Sequence, residues 1–174
     1  MQAELITPSS TENEKLDEAM RIAVDAHTGQ VDKNGEPLIL HVMRVVVKMD
    51  TLEKKIIAAL HDVVEETFRT PNQYNLAYVY RMFGDQIGDA VNALTRRKQG
   101  MVILSSEGLI DVERDEIYSE EYILRLVQNA LACDVKEADL LDHMDPIRVN
   151  PKTAGLQKRY KFALCYIRGE RKNV

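Results

Sequence analysis

The sequence predicts an all-α domain of about seven or eight helices. Apolar residues recur at helical spacing through most of the 174-residue chain, and glycine or proline marks the points where these runs end. Only the stretch between Arg96 and Tyr118 lacks the helical period. With 45% hydrophobic and 29% charged residues, the composition is typical of a globular domain. We expect one domain over residues 1–174, with residues 1–12 as a flexible N-terminal lead.

The helices follow from local signals along the chain. Ser10 or Thr11 is placed to cap the first helix, and Glu14 completes a capping box after Thr11. The turn-rich segment TGQVDKNGEP, residues 28–37, separates the first two helices, and Gly84 hinges two later ones. The predicted helices span roughly residues 11–27, 38–48, 51–65, 73–82, 85–94, 119–132 and 153–168, with the 119–132 helix continuing through a bend into 134–143.

The stretch MVILSSEGLIDV, residues 101–112, contains two short β-favouring runs around a Ser-Ser-Glu-Gly turn. This pattern predicts a β-hairpin. An isolated two-stranded hairpin is only marginally stable, so we expect it to lie against the helical body.

The overall charge and the cysteines exclude several classes of function. The net charge of −5 does not favour binding to nucleic acid or to an anionic membrane. The two cysteines show no metal-binding spacing, and no apolar run approaches membrane-spanning length. We expect a cytoplasmic protein with a small-molecule substrate. The sequence does not indicate an oligomeric state.

The segment ALHDVVEET, residues 59–67, has two interpretations. On a helical wheel its polar side chains lie opposite an aliphatic face, as on any solvated amphipathic helix. Alternatively, His61 and Asp62 belong to a metal site, and Ala58 and Ala59 beside them let another element approach closely. Adjacent residues rarely supply all the ligands, so the others would be His or Asp on different helices.

Other helices carry candidates for these ligands. His41 begins the second helix beside a turn, Asp139 lies among apolar residues where a carboxylate needs a partner, and His143 follows on the same face. Two imidazoles and two carboxylates suit Mn²⁺ or Fe²⁺. Such an ion would bind a substrate oxygen and lower the pKa of bound water. Glu65 and Glu66 could orient that water or move its proton.

Together these segments resemble the HD-domain phosphohydrolases, and specifically the RelA/SpoT-type (p)ppGpp hydrolase branch with its small single-domain members. The resemblance runs from about residue 16 to 165 through four segments in the family's order: AVDAHTGQVDKNGEPLILHVMRVV, AALHDVVEET, FGDQIGDAVNALTRR and YSEEYILRLVQNALACDVKEADLLDHMDPIR.

The resemblance implies a helical fold, a metal site and a reaction. The implied metal ligands are His41, His61, Asp62 and Asp139, and the family's acid pair falls on Glu65 and Glu66. Family enzymes use a divalent ion, usually Mn²⁺, and water to remove the 3′-pyrophosphate from guanosine tetra- or pentaphosphate. Lys33 matches a basic family position and is a candidate substrate contact, as is His143.

The sequence departs from the family pattern at several positions. Asp32 replaces a basic residue, Val42 a proline, Leu140 an arginine and His143 an asparagine, and the insertion at residues 99–117 has no counterpart. The 174 residues leave no length for a synthetase domain, so we expect a hydrolase. A phosphatase for another metabolite or nucleotide and a nucleotide-binding regulatory module without turnover stay open as alternatives.

Some charged and aromatic residues are expected to have ordinary structural roles. Lys136, the basic run at residues 96–98 and the C-terminal cluster Lys158, Arg159, Lys161 and Arg168 are interpreted as solvated charges. Tyr118 and Tyr122 are interpreted as packing residues.

Overall fold

The computed structural model describes residues 12–68, 74–105 and 108–169, and there the chain forms a helical bundle with one β-hairpin. The helices are α1 (Glu12–Ala26), α2 (Leu38–Val47), α3 (Leu52–Leu60), α4 (Val63–Thr67), α5 (Leu76–Phe83), α6 (Asp85–Leu94), α7 (Ile123–Leu126), α8 (Ala130–His143) and α9 (Gln157–Ile167). A π-helical turn precedes α7 and a 3₁₀ turn precedes α9. The all-α prediction is confirmed. The predicted cap at Ser10 or Thr11 lies outside the described residues, as does the N-terminal lead except for Glu12.

Helix α3 lies at the centre of the bundle. It packs against α1, α2, α6 and α8, and five consecutive residues, Ile56–Leu60, are buried. The Thr51 side chain caps its start by accepting a hydrogen bond from the backbone N–H of Lys54. Burial on all sides excludes the interpretation of α3 as a solvated amphipathic helix, because such a helix would keep one face in water.

The predicted single helix over residues 51–65 is wrong, because the chain opens at His61 and Asp62 between α3 and α4. Asp62 has φ −101° and ψ −10°, away from ideal helical values. Side chains of adjacent residues in a regular helix diverge by about 100°. The open turn instead lets His61 Nε2 and Asp62 Oδ2 lie 3.2 Å apart.

The bend predicted near residue 133 lies earlier in the chain. Helix α7 ends at Leu126, and the Asn129 side chain accepts a hydrogen bond from the Ala132 N–H to begin α8. Asparagine competes well for the unpaired N–H groups of a helix start, and this favours a new helix over a continuous one. Helix α8 then packs against α2 and α3, and its Asp139 lies beside His41 of α2.

Two other predicted features are confirmed. Gly84, at φ +86°, separates α5 from α6 in a backbone conformation that favours glycine. The hairpin pairs β1 (Val102–Ser105) with β2 (Gly108–Asp111) antiparallel, and β1 contacts α5. Its two turn residues, 106–107, lie outside the described part of the chain.

Arg125 anchors the base of the hairpin to the helices. Its guanidinium group donates to the buried Glu116 carboxylate at 2.7 Å and to the backbone carbonyls of Asn92 and Thr95 at 2.7 and 3.0 Å. The Glu116 carboxylate also accepts from the Arg97 N–H. These bonds fix residues 96–98 against the helical body.

Among the described residues, no helix combines the length and the apolar character needed to cross a bilayer.

Candidate functional site

The structure brings the four predicted metal ligands together where α2, the α3–α4 turn and α8 meet. Asp62 Oδ2 lies 3.2 Å from His61 Nε2 and 3.8 Å from His41 Nε2. On its other side, His41 Nε2 lies 3.2 Å from Asp139 Oδ1. His41, His61 and Asp139 are buried, while Asp62 is partly exposed.

Hydrogen bonds at the far side of each ring aim the two histidines inward. His41 Nδ1 lies 2.8 Å from Asp142 Oδ2, and His61 Nδ1 lies 2.7 Å from the carbonyl oxygen of Ala58. Protons on both Nδ1 atoms satisfy these acceptors and leave Nε2 as the free nitrogen of each neutral ring. Both Nε2 atoms are buried and lack a hydrogen-bond partner among the described residues. Metal-binding histidines are commonly oriented in this way.

The two carboxylate oxygens of Asp139 have different environments. Lys136 lies one turn earlier on α8, and its Nζ is 2.7 Å from Asp139 Oδ2. The other oxygen, Oδ1, is buried and accepts no hydrogen bond from the described residues. Lys136 is therefore not a solvated surface charge, because its largely buried ammonium group orients the Asp139 carboxylate.

The protonation of this cluster is strongly perturbed. Burial alone would lower the pKa of His41, but the carboxylates of Asp139 and Asp142 raise it to about 9. For Asp139, burial opposes ionisation, but Lys136 and the neighbouring histidines hold its pKa well below the usual range. Protons on the imidazoles thus balance the carboxylates, and a cation entering the cluster would have to displace them.

The donor set fits a divalent ion. Oxygen and nitrogen ligands about 2.1 Å from an octahedral ion lie about 3 Å apart when adjacent. The separations of 3.2 to 3.8 Å around His41, Asp62 and Asp139 are close to this value. No cysteine belongs to either candidate metal-binding group among the described residues. His41, His61, Asp62 and Asp139 could hold Mn²⁺ or Fe²⁺, which accept such mixed ligands.

The cluster opens into a cleft with a volume of about 470 Å³. Asp62, Asp139 and His143 form part of its wall. Six cationic side chains also line it: Lys33, Arg96, Lys98, Lys136, Arg148 and Arg159. The residues expected on solvated faces at positions 96, 98 and 159 therefore face a polar cleft.

Tyr118 lines the cleft as well, and the Arg159 guanidinium lies 4.8 Å from the centre of its ring. Tyr122 is buried and donates its hydroxyl to the carbonyl of Leu94.

Glu65 and Glu66 both line the cleft but differ in environment. The Glu65 carboxylate is largely buried, accepts a hydrogen bond from the Arg96 N–H at 3.0 Å and lies 3.2 Å from Lys98 Nζ. Burial raises its pKa, and the charge of Lys98 offsets this only in part. Glu66 is more exposed and contacts the same Lys98 at 3.3 Å.

Asp32, the departure from the family's basic position, has a structural role. Its Oδ1 accepts from the N–H groups of Asn34 and Glu36, and its Oδ2 lies 2.7 Å from Arg148 Nη2. The same arginine donates to Glu36 at 2.9 Å. The Asp32 charge is thus neutralised by Arg148, a residue that the sequence did not single out, and the next residue, Lys33, lines the cleft.

The other two histidines lie in different positions. His143, predicted as a substrate contact, has its Nε2 3.2 Å from Asp139 Oδ1. His27 is buried, with its Nδ1 3.0 Å from Gln30 Oε1, and belongs to neither group of potential ligands among the described residues.

Asp142, like Arg148, is a residue of this region that the sequence did not indicate. It is buried and contacts His41 Nδ1 and Arg44 Nε at 2.8 Å each, with Arg148 Nε at 3.4 Å. Its one available signal was its position on α8, three residues after Asp139 and therefore on a neighbouring face. Asp142 links the orientation of His41 to the Arg148 contacts of the loop at residues 30–37.

We expect Asp142→Asn to destabilise the protein by about 2–3 kcal/mol, because it removes the charged acceptor of two hydrogen bonds in a buried position. Loss of this carboxylate should also lower the pKa of His41 from about 9. Urea unfolding of the metal-free protein and an NMR titration of His41 measure the two effects.

Asp134→Asn on the same helix is the matched control for this substitution. Asp134 pairs with Lys54 at 2.8 Å but is half exposed, so its loss should cost less than about 1 kcal/mol. Equal costs for the two substitutions would contradict the role assigned to Asp142.

Comparisons with known proteins find similar sequences and a similar fold. No protein-family model matches the chain. The chain is 29% identical over 154 residues to the guanosine-3′,5′-bis(diphosphate) 3′-pyrophosphohydrolase of Aquifex aeolicus, an alignment that covers 86% of this chain and 20% of that protein. It is 32% identical over 87 residues to the bifunctional (p)ppGpp synthase/hydrolase SpoT of Escherichia coli, covering 47% of this chain and 12% of that protein. Another relative, from Myxococcus xanthus, is named GTP pyrophosphokinase.

The fold has a counterpart among solved structures. A structure described as "A metazoan ortholog of SpoT hydrolyzes ppGpp and plays a role in starvation responses" matches with a TM-score of 0.63 at 19% identity, covering 92% of this chain and 89% of that one. The chain spans only 12 to 20% of the length of the two curated relatives compared above. By sequence the chain is similar to enzymes named for the synthesis and hydrolysis of (p)ppGpp, and by fold it is similar to a metazoan ortholog of SpoT.

Proposed function

We propose that this chain is a metal-dependent phosphohydrolase that acts on a nucleotide, with guanosine 3′,5′-bis(diphosphate) as the substrate and pyrophosphate as a product. The observation that carries the proposal is a buried set of metal-type ligands opening into a cleft lined by six cations. The proposal treats residues 1–174 as one hydrolase domain, acting in the cytoplasm in the response to starvation.

The cations of the cleft favour a substrate with several phosphates. Lys33 and Arg159 have no carboxylate within ion-pair distance among the described residues, although both line the cleft. Desolvation, together with the nearby charges of Arg159 and Arg96, lowers the pKa of Lys33. Like charges held together without counterions in one cleft indicate a site for an anion.

We assign a separate role in the proposed reaction to the metal ligands and to the two glutamates. A divalent ion held by His41, His61, Asp62 and Asp139 would act as a Lewis acid on a phosphate oxygen and would lower the pKa of water. In the proposal, Glu65 orients the attacking water and accepts its proton, because burial raises its pKa above that of an ordinary glutamate. Lys98 lies between Glu65 and Glu66 and holds both carboxylates in place.

The departures from the family pattern bear on the substrate. Asp32 is neutralised by Arg148, so it does not repel a phosphate, and Lys33 stays available beside it. His143 lies against Asp139, where the family has asparagine. A change this close to the reacting groups favours another phosphorylated nucleotide or metabolite as the second candidate substrate.

The first test is a product-resolved hydrolysis screen. The full chain, loaded with Mn²⁺, should convert ppGpp to GDP and pyrophosphate, and Asp62→Asn should reduce kcat/KM by about a thousandfold or more. Asp134→Asn, far less buried, should leave the rate unchanged. Chromatography of the products over ppGpp, pppGpp, ATP, GTP and sugar phosphates measures both.

Each outcome of the screen has a defined meaning. Cleavage of other nucleotides with ppGpp spared would overturn the substrate and keep the enzyme class. Tight nucleotide binding without turnover, with several metals tried, would instead establish a regulatory module. Full activity in Asp62→Asn would contradict the assigned site.

Glu65→Gln should lower kcat/KM by about 10²- to 10⁴-fold and abolish the acidic limb of its pH profile. A base must be deprotonated to work, so activity falls as the pH drops through its pKa. Because that pKa is raised, the limb should lie above pH 4.5, the ordinary value for glutamate. Rates of metal-loaded protein between pH 4.5 and 8 measure it, and Glu66→Gln should retain the limb. A limb that persists in Glu65→Gln would assign the proton to another group.

Lys33→Ala and Arg159→Ala should each raise KM by about 10- to 100-fold, because each removes a charge-assisted contact to phosphate worth about 1.5–3 kcal/mol. Lys158→Ala is the matched control, since Lys158 neighbours Arg159 on α9 but does not line the cleft. Steady-state kinetics with the substrate identified in the screen measure these effects. Equal KM values for all three variants would place the phosphates elsewhere.

A further inference from the structure

His143 lies beside two of the four predicted ligands, His41 and Asp139. Its Nε2 is 3.2 Å from Asp139 Oδ1, and that oxygen is also 3.2 Å from His41 Nε2. The ligand atoms of His41, Asp139 and His143 all lie within 4.8 Å of one another. His41 therefore belongs to two overlapping groups of donors, one with His61 and Asp62 and one with Asp139 and His143.

The His143 ring packs against two other rings. The ring centre lies 4.6 Å from that of His41 at an interplanar angle of 23°, and 5.4 Å from that of Tyr160 at 18°. Helix α8 adds to this, because residues four apart lie on one face and His143 follows Asp139 at that spacing. The Nε2 atom is thus aimed at the cluster before any ligand arrives.

A purely charge-balancing role does not account for this placement. Lys136 already neutralises Asp139 through Oδ2 at 2.7 Å, and His41 lies beside Oδ1. Oδ1 is nevertheless buried without a hydrogen-bond donor among the described residues, as is His41 Nε2. These unpaired atoms and His143 Nε2 face one another, as ligands of one ion do.

We propose that His143 is a fifth protein ligand of the divalent ion, so that the site is formed by three histidines and two aspartates. The proposal rests on the metal site of the proposed function and replaces the prediction of His143 as a substrate contact. A third imidazole moves the ligand set towards nitrogen, which favours Fe²⁺ or Co²⁺ over Mn²⁺ more than the four-ligand set would. It also leaves fewer positions on the ion for water and substrate.

Pulsed EPR of Mn²⁺ bound to protein labelled with ¹⁵N-histidine counts the coordinated imidazoles without requiring turnover. We expect three in the unsubstituted full chain and two in His143→Asn, which supplies the family's residue at this position. Competition titrations should show the ratio of Co²⁺ to Mn²⁺ affinity falling about tenfold in the same variant. The count in the unsubstituted chain is informative even if the variant does not fold.

The outcomes separate this inference from the proposed function. Two imidazoles in both proteins would overturn the fifth ligand and leave the four-ligand site standing. Three imidazoles that persist in His143→Asn would assign the third to another histidine and would equally overturn it. Failure of the unsubstituted chain to bind Mn²⁺, Fe²⁺ or Co²⁺ would overturn both proposals.

Discussion

Burial of several charges at one junction of the helical bundle is the constraint on which the rest of the structure depends. An unpaired buried carboxylate costs several kcal/mol, so each one must meet a cation or a proton. Asp139 meets Lys136, and Asp142 meets His41 and Arg44. The carboxylates of Asp139 and Asp142 raise the pKa of His41 to about 9. The proton on His41 therefore supplies the positive charge that a bound metal ion would otherwise supply. In this cluster, folding and metal binding are therefore coupled through protons.

The same balance extends from the cluster to the loop at residues 30–37. Asp142 contacts His41 on one side and Arg148 on the other, and Arg148 holds Asp32 and Glu36. An aspartate at position 32 would weaken an anion site if its charge were free. Because Arg148 neutralises it, the substitution instead fixes the loop that carries Lys33. The departure from the family pattern is thus accompanied by a compensating residue more than a hundred positions away in the chain.

Local signals predicted the helices well wherever a turn residue decided the boundary. Pro37 marks the start of α2, and Gly84 marks the junction of α5 and α6, because the backbone conformations of these residues are restricted or unusual. The break at His61 and Asp62 could not be predicted in this way. Both residues are compatible with helix, and only their shared environment, formed by distant segments, favours an open turn.

The candidate site shows a similar division. The HD pair and its acidic neighbours were visible as a motif, and His41 and Asp139 were candidates from their local positions before the resemblance implied them as ligands. A helical wheel, however, assigns polar side chains to water and cannot distinguish solvent from a polar cleft. Lys136 and Arg159 were misjudged for this reason. Asp142 was missed because its partners, His41 and Arg148, lie on other segments of the chain.

The cations of the cleft come from separate parts of the fold, and this has a consequence for binding. Lys33 lies on the loop after α1, Arg96 and Lys98 follow α6 beside the hairpin, and Arg159 lies on α9. Arg125 ties the hairpin base to the helices, so residues 96–98 are held in place in the folded chain. A polyphosphate bound in the cleft would pair with cations from all of these segments at once and so hold them together. Because Lys33 and Arg159 lack a carboxylate partner among the described residues, such a ligand should stabilise the domain as a whole, beyond the site that it occupies.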